Sequence, residues 1–196
     1  MGFYNFVRWL LNVLTRIYHK VEYRGTENVP DRSFLACSNH VSFIDPALVA
    51  IGVKRHFRFM AKAELFRIPV LSFIIKKLGA FPVSRGSGDM TPINTSIDII
   101  NGGGNLLIFP EGTRSRTGEL LRPRSGSALV AMKTGADILP VAIRYEKKGR
   151  FRSKLTVSFG EMIPNAELGL DPDNPRTFHS ASKYIMEKIR VLWEKE

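Results

Sequence analysis

A histidine and an aspartate stand five residues apart in one short segment of this chain. His40 and Asp45 follow the apolar run from Ser33 to Ser38, and Pro46 comes directly after the aspartate. Histidine exchanges protons near neutral pH, and a neighbouring carboxylate fixes the tautomer and the orientation of its ring. The pair therefore indicates general acid–base chemistry, although a helix cap beside an unrelated surface histidine would give the same pattern.

The residues around this pair predict a loop between a strand and a helix. The residue before a proline is biased away from helical dihedrals, whereas proline suits the first turn of a helix. We therefore expect Asp45 to be the N-cap of a helix that begins at Pro46, with His40 in the preceding loop. A loop can bring the two side chains together, whereas positions five residues apart on a regular helix differ by about 140° around its axis.

A second polar segment combines a carboxylate, a glycine, a hydroxyl and a guanidinium. These residues are Glu111, Gly112, Thr113 and Arg114. The planar guanidinium of arginine donates two hydrogen bonds to a phosphate at once, and glycine adopts backbone angles that other residues resist. The segment predicts a phosphate site, to which Arg85, Arg122 and Arg124 would add positive charge. A solvated basic loop in which Glu111 pairs with an arginine would have the same sequence.

Strand and helix patterns alternate along most of the chain. Short apolar runs typical of buried strands are separated by segments with helical periodicity, and glycines end several of them. The alternation predicts a single α/β domain with a mixed, largely parallel sheet covered by helices. Ligands collect at the carboxyl ends of the strands in such sheets, so we expect the loops after Ser38 and Phe109 to meet there.

The first 24 residues have the periodicity of an amphipathic helix. Apolar positions, several of them aromatic, recur at steps of three and four residues, and basic residues lie among them. We expect residues 1–24 to form an N-terminal helix that lies in a membrane interface, and residues 25–196 to form the catalytic domain. Arg8, Asn12 and Arg16 interrupt the apolar run, so the segment is not expected to span a bilayer. An ordinary first helix packed on the core would have the same periodicity.

The composition narrows the classes of partner. The formal charge of +11, from 29 Lys and Arg against 18 Asp and Glu, favours anionic partners such as phospholipid head groups, nucleic acid or phosphorylated substrates. The single cysteine, Cys37, excludes an intrachain disulfide and lies in an apolar run, which favours a buried structural thiol. A nucleic-acid-binding module has only the charge and the basic and aromatic segment Arg150–Lys154 in its favour, and it leaves His40 with Asp45 unexplained.

Four blocks of the sequence, in order, resemble the motifs of the glycerolipid acyltransferase family. The segment Asn39–Asp45 is similar to the family's Asn-His-x-x-x-x-Asp motif, and Phe109–Ser115 is similar to its Phe-Pro-Glu-Gly-Thr-Arg-Ser motif. Gly79–Arg85 resembles the intervening block that ends in an arginine, and Leu139–Ile143 resembles the fourth, proline-containing block. The agreement in order and approximate spacing is far more specific than either motif alone. It is greatest with compact bacterial members that act on lysophosphatidate.

The resemblance implies acyl transfer from a thioester to the sn-2 hydroxyl of 1-acyl-sn-glycerol 3-phosphate, which gives phosphatidate. His40 would be the general base and Asp45 its orienting partner, with no covalent acyl-enzyme, no metal and no other cofactor. Arg85 and Arg114 would bind the phosphate of the acceptor. Other residues of these blocks would shape the acceptor pocket or bind the phosphate or a carrier protein: Glu111, Gly112 and Thr113 for the pocket, and Arg124 for the phosphate or carrier.

The implied partners are lysophosphatidate, acyl-CoA or acyl carrier protein as the donor, and an anionic membrane surface. No nucleic acid is expected, and the protein is expected to be peripheral or monotopic on the cytoplasmic face of a membrane. The same chemistry on glycerol 3-phosphate or another lysophospholipid stays open, because the shape of the pocket sets the acceptor. A basic nucleic-acid-binding or lipid-binding module without catalysis is the alternative from a different class.

Overall fold

The computed structural model describes residues 2–83, 90–147 and 149–195. The helices are α1 (Phe3–Tyr18), α2 (Asp45–Gly52), α3 (Pro69–Lys77), α4 (Thr91–Asn101), α5 (Gly126–Thr134) and α6 (Pro175–Glu194). The strands are β1 (Lys20–Arg24), β2 (Leu35–Ser38), β3 (Phe57–Lys62), β4 (Ala80–Val83), β5 (Asn105–Ile108), β6 (Ile138–Tyr145) and β7 (Lys154–Phe159). Short 3-10 turns lie at Thr26–Asn28, Ala63–Arg67 and Asn165–Leu168.

The strands form one mixed sheet in the order β1-β7-β6-β2-β5-β3-β4. The five strands from β6 to β4 in that order run parallel to their neighbours, whereas β7 is antiparallel to β6 and β1 is parallel to β7. The prediction of a largely parallel α/β sheet is confirmed. The carboxyl ends of β2, β5 and β6 therefore lie along the same edge of the sheet, and the segments after them begin there.

Helices cover both faces of the sheet, which explains the nearly continuous apolar runs of the central strands. Successive residues of a strand point to opposite faces. Leu35 and Cys37 of β2 pack in the hydrophobic cluster that includes residues of α5 and α6. Ala36 packs in the cluster on the other face, which includes Leu48 and Val49 of α2. Cys37 is fully buried, and burial raises the pKa of its thiol to about 12, as expected for a structural cysteine.

Asn39 joins the end of β2 to β6 through its side chain. Its Nδ2 donates to the carbonyl oxygen of Ile143 over 2.9 Å, and its Oδ1 accepts from the Ile143 amide over 2.7 Å. The side-chain amide thus takes the place of a backbone peptide just beyond the last paired residue of β2, Ser38. Since Asn39 is 1% exposed, these bonds hold the start of the following loop firmly against the sheet.

The N-terminal helix is shorter than predicted. Helix α1 ends at Tyr18, and Lys20–Arg24 pairs with β7 as an edge strand, so the expectation of a helix through residue 24 is wrong for that part. The reason is that the alternating side chains of this segment suit a partly covered strand beside β7. No residue of α1 is fully buried, and one side of the helix, including Tyr4 and Leu11, is partly covered. Within the described residues, no helix is both long enough and apolar enough to cross a membrane.

Replacing Asn39 by alanine is expected to destabilise the fold, because both polar groups of the Ile143 backbone would lose their partners in a buried place. We expect the free energy of unfolding to fall by about 2–4 kcal/mol. Urea denaturation followed by circular dichroism measures the change. Asn101→Ala, at the exposed end of α4, is the control and should shift stability by about 0.5 kcal/mol or less. Equal stability of the two variants would contradict the role given to Asn39.

Candidate active site

The structure places His40 and Asp45 side by side at the carboxyl end of β2. The loop between Ser38 and Asp45 brings His40 Nδ1 to 2.8 Å from Asp45 Oδ2. The histidine side chain is 13% exposed and the aspartate side chain 0% exposed, so the carboxylate is buried behind a ring that reaches the surface. With Nδ1 held by the carboxylate, the proton of that tautomer lies on Nδ1 and Nε2 is left as the proton acceptor.

The Asp45 carboxylate is surrounded by hydrogen-bond donors. Besides His40, Oδ2 accepts from the backbone amides of Val41 over 2.6 Å and Ser42 over 2.7 Å. The other oxygen, Oδ1, accepts from the hydroxyl of Tyr145 over 2.9 Å. These donors compensate the loss of water around a fully buried carboxylate and keep its orientation fixed toward the imidazole.

The prediction that Asp45 caps α2 is wrong. The helix begins at Asp45 itself, with Ile44 as the residue before it, and the described hydrogen bonds of the aspartate side chain go to His40, Val41, Ser42 and Tyr145 rather than to amides of the helix. Its carboxylate turns back to the imidazole of His40 and to the amides of Val41 and Ser42, so both of its oxygens are already engaged when the hydroxyl of Tyr145 is included. The aspartate thereby orders the loop that precedes the helix rather than the helix.

His40 is also fixed by the loop that follows β5. Its ring stacks on Phe109, with ring centroids 4.0 Å apart and an interplanar angle of 20°. Its carbonyl oxygen accepts from the Ser115 amide over 2.7 Å. The two loops predicted to meet at the carboxyl edge of the sheet therefore do meet, and they leave Nε2 of His40 with no hydrogen-bond partner among the described residues.

Glu111 is buried beneath the contact between the loops that follow β2 and β5. It is 3% exposed, its Oε1 is 3.4 Å from the His40 amide, and its Oε2 has no hydrogen-bond partner among the described residues. Burial raises the pKa of the carboxyl to about 7, and the backbone amides of His40 and Leu121 lower it less than burial raises it. No ion pair joins Glu111 to an arginine in the described part of the chain. The alternative of a solvated loop in which Glu111 pairs with an arginine is therefore wrong for Glu111.

Gly112 and Arg124 pack together. Gly112 has a φ of +68°, and a Cβ atom on it would lie 2.8 Å from Cδ of Arg124. The Arg124 amide donates to the carbonyl of Pro110 over 2.8 Å, so the segment before α5 closes over the loop after β5. Glycine suits this left-handed backbone, and a side chain at this position would also require the Arg124 stem to move.

The other described residues predicted for the phosphate site are not held at the contact between His40 and Asp45. Thr113 and Arg114 are exposed and precede Ser115, which binds the His40 carbonyl, so Arg114 lies one residue from that junction. Arg122 and Arg124 are also exposed. Arg85 lies outside the described residues. The described part of the chain has no group of three or more His, Cys, Asp or Glu side chains that could hold a metal ion.

Tyr145 is the site residue that the sequence did not reveal. It is the last residue of β6 and lies 100 positions from Asp45, yet its hydroxyl contacts that carboxylate. Burial raises the pKa of the phenol, and the Asp45 charge raises it further, so the hydroxyl keeps its proton and stays a donor. The available signal is its position two residues after the block Leu139–Ile143, on the strand beside β2.

Comparison with known proteins finds acyltransferases. The family model described as "Acyltransferase" matches residues 20–144. A 1-acyl-sn-glycerol-3-phosphate acyltransferase of Bacillus subtilis is 28% identical over 197 residues, which is 98% of each chain. A lyso-ornithine lipid O-acyltransferase of Pseudomonas aeruginosa is 35% identical over 143 residues, which is 72% of this chain and 54% of that protein. The crystal structure of the 1-acyl-sn-glycerophosphate acyltransferase PlsC from Thermotoga maritima superposes with a TM-score of 0.77 at 28% identity, covering 98% of this chain and 78% of that one.

The extent of the similarity differs among these relatives. Two chloroplastic 1-acyl-sn-glycerol-3-phosphate acyltransferases, of Arabidopsis thaliana and Brassica napus, are each 30% identical over 131 residues. The chain spans 36% and 38% of their lengths, so the similarity to them is limited to part of each plant protein.

The raised pKa of Glu111 predicts how the variant Glu111→Gln responds to pH. The carboxyl titrates near 4.5 when unfolded and near 7 when folded, so its ionisation opposes folding increasingly as pH rises between those values. Below this window both states are protonated and the penalty is absent. The stability of Glu111→Gln relative to the natural chain should therefore rise with pH across the window and level off above it.

Chemical denaturation at a series of pH values measures this difference. Glu119→Gln, which removes an exposed carboxyl from the same loop, shows how much of the change comes from losing a negative charge alone. A stability difference for Glu111→Gln that stays constant from acid to neutral pH would show that the buried carboxyl does not carry the penalty.

Proposed function

Because this chain belongs to the Acyltransferase family, we propose that it transfers a fatty acyl group from an acyl thioester to the sn-2 hydroxyl of 1-acyl-sn-glycerol 3-phosphate, giving phosphatidate. The donor is acyl-CoA or an acyl carrier protein thioester, and the reaction needs no metal and no other cofactor. The relatives from Bacillus subtilis and Thermotoga maritima support this acceptor, since their names state it and each aligns with 98% of this chain.

One observation carries the chemistry of the proposal. His40 Nδ1 is bound to the buried Asp45 carboxylate over 2.8 Å, and Nε2 has no partner among the described residues. A nitrogen in this position can accept the proton of a lipid hydroxyl while Asp45 stabilises the imidazolium that forms. The Tyr145 hydroxyl and the amides of Val41 and Ser42 keep the carboxylate in place throughout.

The proposed step balances without a covalent acyl-enzyme. The sn-2 oxygen attacks the thioester carbonyl as its proton passes to Nε2 of His40, and a tetrahedral intermediate forms. Its collapse breaks the carbon–sulfur bond, and the proton held by His40 passes to the leaving thiolate. The products are phosphatidate and the free thiol of CoA or of the carrier protein, and His40 returns to its starting state.

We assign the acceptor's phosphate to the arginines near the His40 loop. Arg114 is exposed and adjoins Ser115, whose amide is bound to the His40 carbonyl, so its guanidinium can reach a ligand at this edge. Arg85 joins it on the strength of the sequence resemblance. Pocket residues Glu111, Gly112 and Thr113 shape the site, and Arg124 covers Gly112 and adds positive charge for the phosphate or for a carrier protein.

A second acceptor is favoured by the relative from Pseudomonas aeruginosa, which is named for a lyso-ornithine lipid and is 35% identical. That acceptor would use the same attack by a hydroxyl on a thioester, and only the recognition of the head group would differ. Glycerol 3-phosphate and other lysophospholipids are further acceptors of the same reaction. The arginine loop favours a phosphate-bearing acceptor because a guanidinium pairs with phosphate through two parallel bonds.

We also propose that the protein binds an anionic membrane surface, as a peripheral or monotopic protein on the cytoplasmic face. The outward side of α1 exposes a row of large apolar residues: Phe3, Phe6, Leu10, Leu14 and Ile17, with Trp9 and Tyr18 beside it. Such a face suits the boundary between head groups and acyl chains. The formal charge of +11 suits the negative potential of the cytoplasmic leaflet.

Replacing His40 by alanine is expected to lower turnover by about 10²–10⁴-fold, because the hydroxyl would lose its general base. The assay follows phosphatidate formation by purified protein from lysophosphatidate and acyl-CoA or an acyl carrier protein thioester in detergent micelles. His179→Ala, which alters an exposed histidine on α6, is the control and should keep full turnover. Equal turnover of the His40 variant and the natural chain would overturn the mechanism, and inactivity of the natural chain with every donor and acceptor would overturn the enzyme assignment.

Replacing Arg114 by alanine is expected to raise the KM for lysophosphatidate by about 10–100-fold with little change in kcat, because a charged hydrogen bond to the phosphate is lost. Arg116→Ala, from an exposed position in the same loop, is the control. The same variants are assayed with lyso-ornithine lipid, whose KM should not depend on Arg114. A KM for lysophosphatidate that is the same in the natural chain, Arg114→Ala and Arg116→Ala would remove Arg114 from the phosphate site.

A further inference from the structure

The turn between β6 and β7 is fastened to the end of α1. The Tyr18 hydroxyl donates to the Gly149 carbonyl over 3.0 Å, and the Arg152 amide donates to the Tyr18 carbonyl over 2.7 Å. The Arg152 guanidinium also donates to the Arg16 carbonyl over 3.2 Å. The last turn of α1 and the tip of this hairpin therefore form one surface, although more than 130 residues separate them in the chain.

An aromatic side chain is held outward at the tip of this hairpin. Phe151 is 61% exposed and meets Tyr18 edge to face, with ring centroids 5.7 Å apart. The next residue, Arg152, has a φ of 60°, the one positive φ at a non-glycine residue in the described part of the chain. Such a backbone is costly, and the bonds of Arg152 to α1 maintain it. The strained turn thus presents a phenyl ring to solvent instead of covering it.

The aromatic pair is surrounded by basic groups. Arg150 and Arg152 flank Phe151, and both are exposed. The shallow cleft beside them is lined by four basic residues (Arg16, Lys20, Arg152 and Lys154) and two acidic ones (Glu22 and Glu146). Lys154 is paired with Glu22 over 3.0 Å, and the remaining basic residues leave the surface cationic. Apolar rings within a cationic rim are the composition of a surface that binds anionic lipid.

This surface lies at the same edge of the sheet as the proposed active site. Strand β6 runs parallel to β2, so its last residue, Tyr145, ends beside the loop of His40, and the hairpin turn continues from there. Tyr145 contacts Asp45 with its hydroxyl and His19, just after α1, with its ring. Phe43, within the His40 loop, is 79% exposed. A bilayer in contact with the hairpin turn would therefore adjoin the opening to His40.

We propose that the turn Arg150–Arg152, together with the last turn of α1, docks on an anionic phospholipid bilayer. Phe151 and Tyr18 enter the head-group region, and the arginines lie at the level of the lipid phosphates. The occupant is a membrane and not a nucleic acid, because the surface continues into the exposed apolar row of α1, which nucleobases would not cover. The inference extends the proposed membrane association by naming a second docking element, and it rests on that proposal.

The test compares two pairs of matched variants on vesicles. Arg150→Gln is paired with Arg176→Gln, which removes one exposed arginine from the start of α6, and Phe151→Ala is paired with Val191→Ala, from an exposed position on the same helix. Helix α6 packs on the face of the sheet opposite to α2. Binding is measured by flotation with phosphatidylcholine vesicles and with vesicles that also contain phosphatidylglycerol.

The two turn variants are expected to differ in their dependence on lipid charge. Arg150→Gln should bind the anionic vesicles about fivefold more weakly and the neutral vesicles unchanged, because one cation near the surface is lost. Phe151→Ala should bind both kinds of vesicle about tenfold more weakly, because the buried ring is lost. Both control variants should bind like the natural chain, and all four should keep the circular dichroism spectrum and the turnover in detergent micelles.

Three results would overturn the inference. The first is vesicle binding by Arg150→Gln and Phe151→Ala equal to that of their controls, which would leave α1 as the docking element by itself. The second is a result in which Arg150→Gln and Phe151→Ala bind vesicles like the natural chain but no longer bind a single-stranded oligonucleotide that the natural chain binds. That result would make the turn a nucleic-acid site. The third is an absence of vesicle binding by the natural chain. Failure of turnover in micelles would instead defeat the proposed reaction and leave the vesicle result standing.

Discussion

The burial of one carboxylate governs how this site is built. Asp45 is 0% exposed, and a charge removed from water is tolerated only when donors replace the lost solvent. The donors come from two parts of the fold: the loop after β2, which supplies the amides of Val41 and Ser42 and the ring of His40, and β6, which supplies the hydroxyl of Tyr145. The shape of the loop therefore depends on the pairing of β2 with β6, which the side chain of Asn39 extends by one residue.

Two carboxyl groups act on His40 in different ways. Asp45 faces its ring and is fully supplied with donors, whereas Glu111 faces its backbone amide and leaves one oxygen without a partner in the described residues. Burial raises the pKa of the Glu111 carboxyl to about 7, which favours its protonated form up to neutral pH. The nearby charge of Asp45 adds to the rise in the pKa of Glu111. The Asp45 carboxylate fixes the orientation of the imidazole, and Glu111 is protonated more readily because that carboxylate is close.

The sequence predicted the sheet and the meeting of the two loops, because both follow from local periodicity and from the rule that parallel strands end at one edge. It could not predict which donors Asp45 would choose, since a helix cap and a loop clamp use the same residue at the same position. The role of Tyr145 could not be predicted, because its contact with Asp45 joins residues 100 positions apart and depends on the pairing of β2 with β6. For α1 the periodicity alone does not separate a helix packed on the core from one that lies in a membrane interface, because both have one apolar side.

The parallel direction of β2 and β6 has a consequence for how substrate would arrive. Both strands end at one edge, so the His40 loop and the segment that leads to the aromatic hairpin tip begin at the same edge of the sheet, and on the proposed docking a bilayer would adjoin both. An acceptor lipid could then reach the histidine by lateral diffusion within its own leaflet, without passing through water. Under that geometry the reaction rate follows the mole fraction of acceptor in the surface, so dilution with inert lipid slows the enzyme even when the total amount of acceptor in the sample is unchanged.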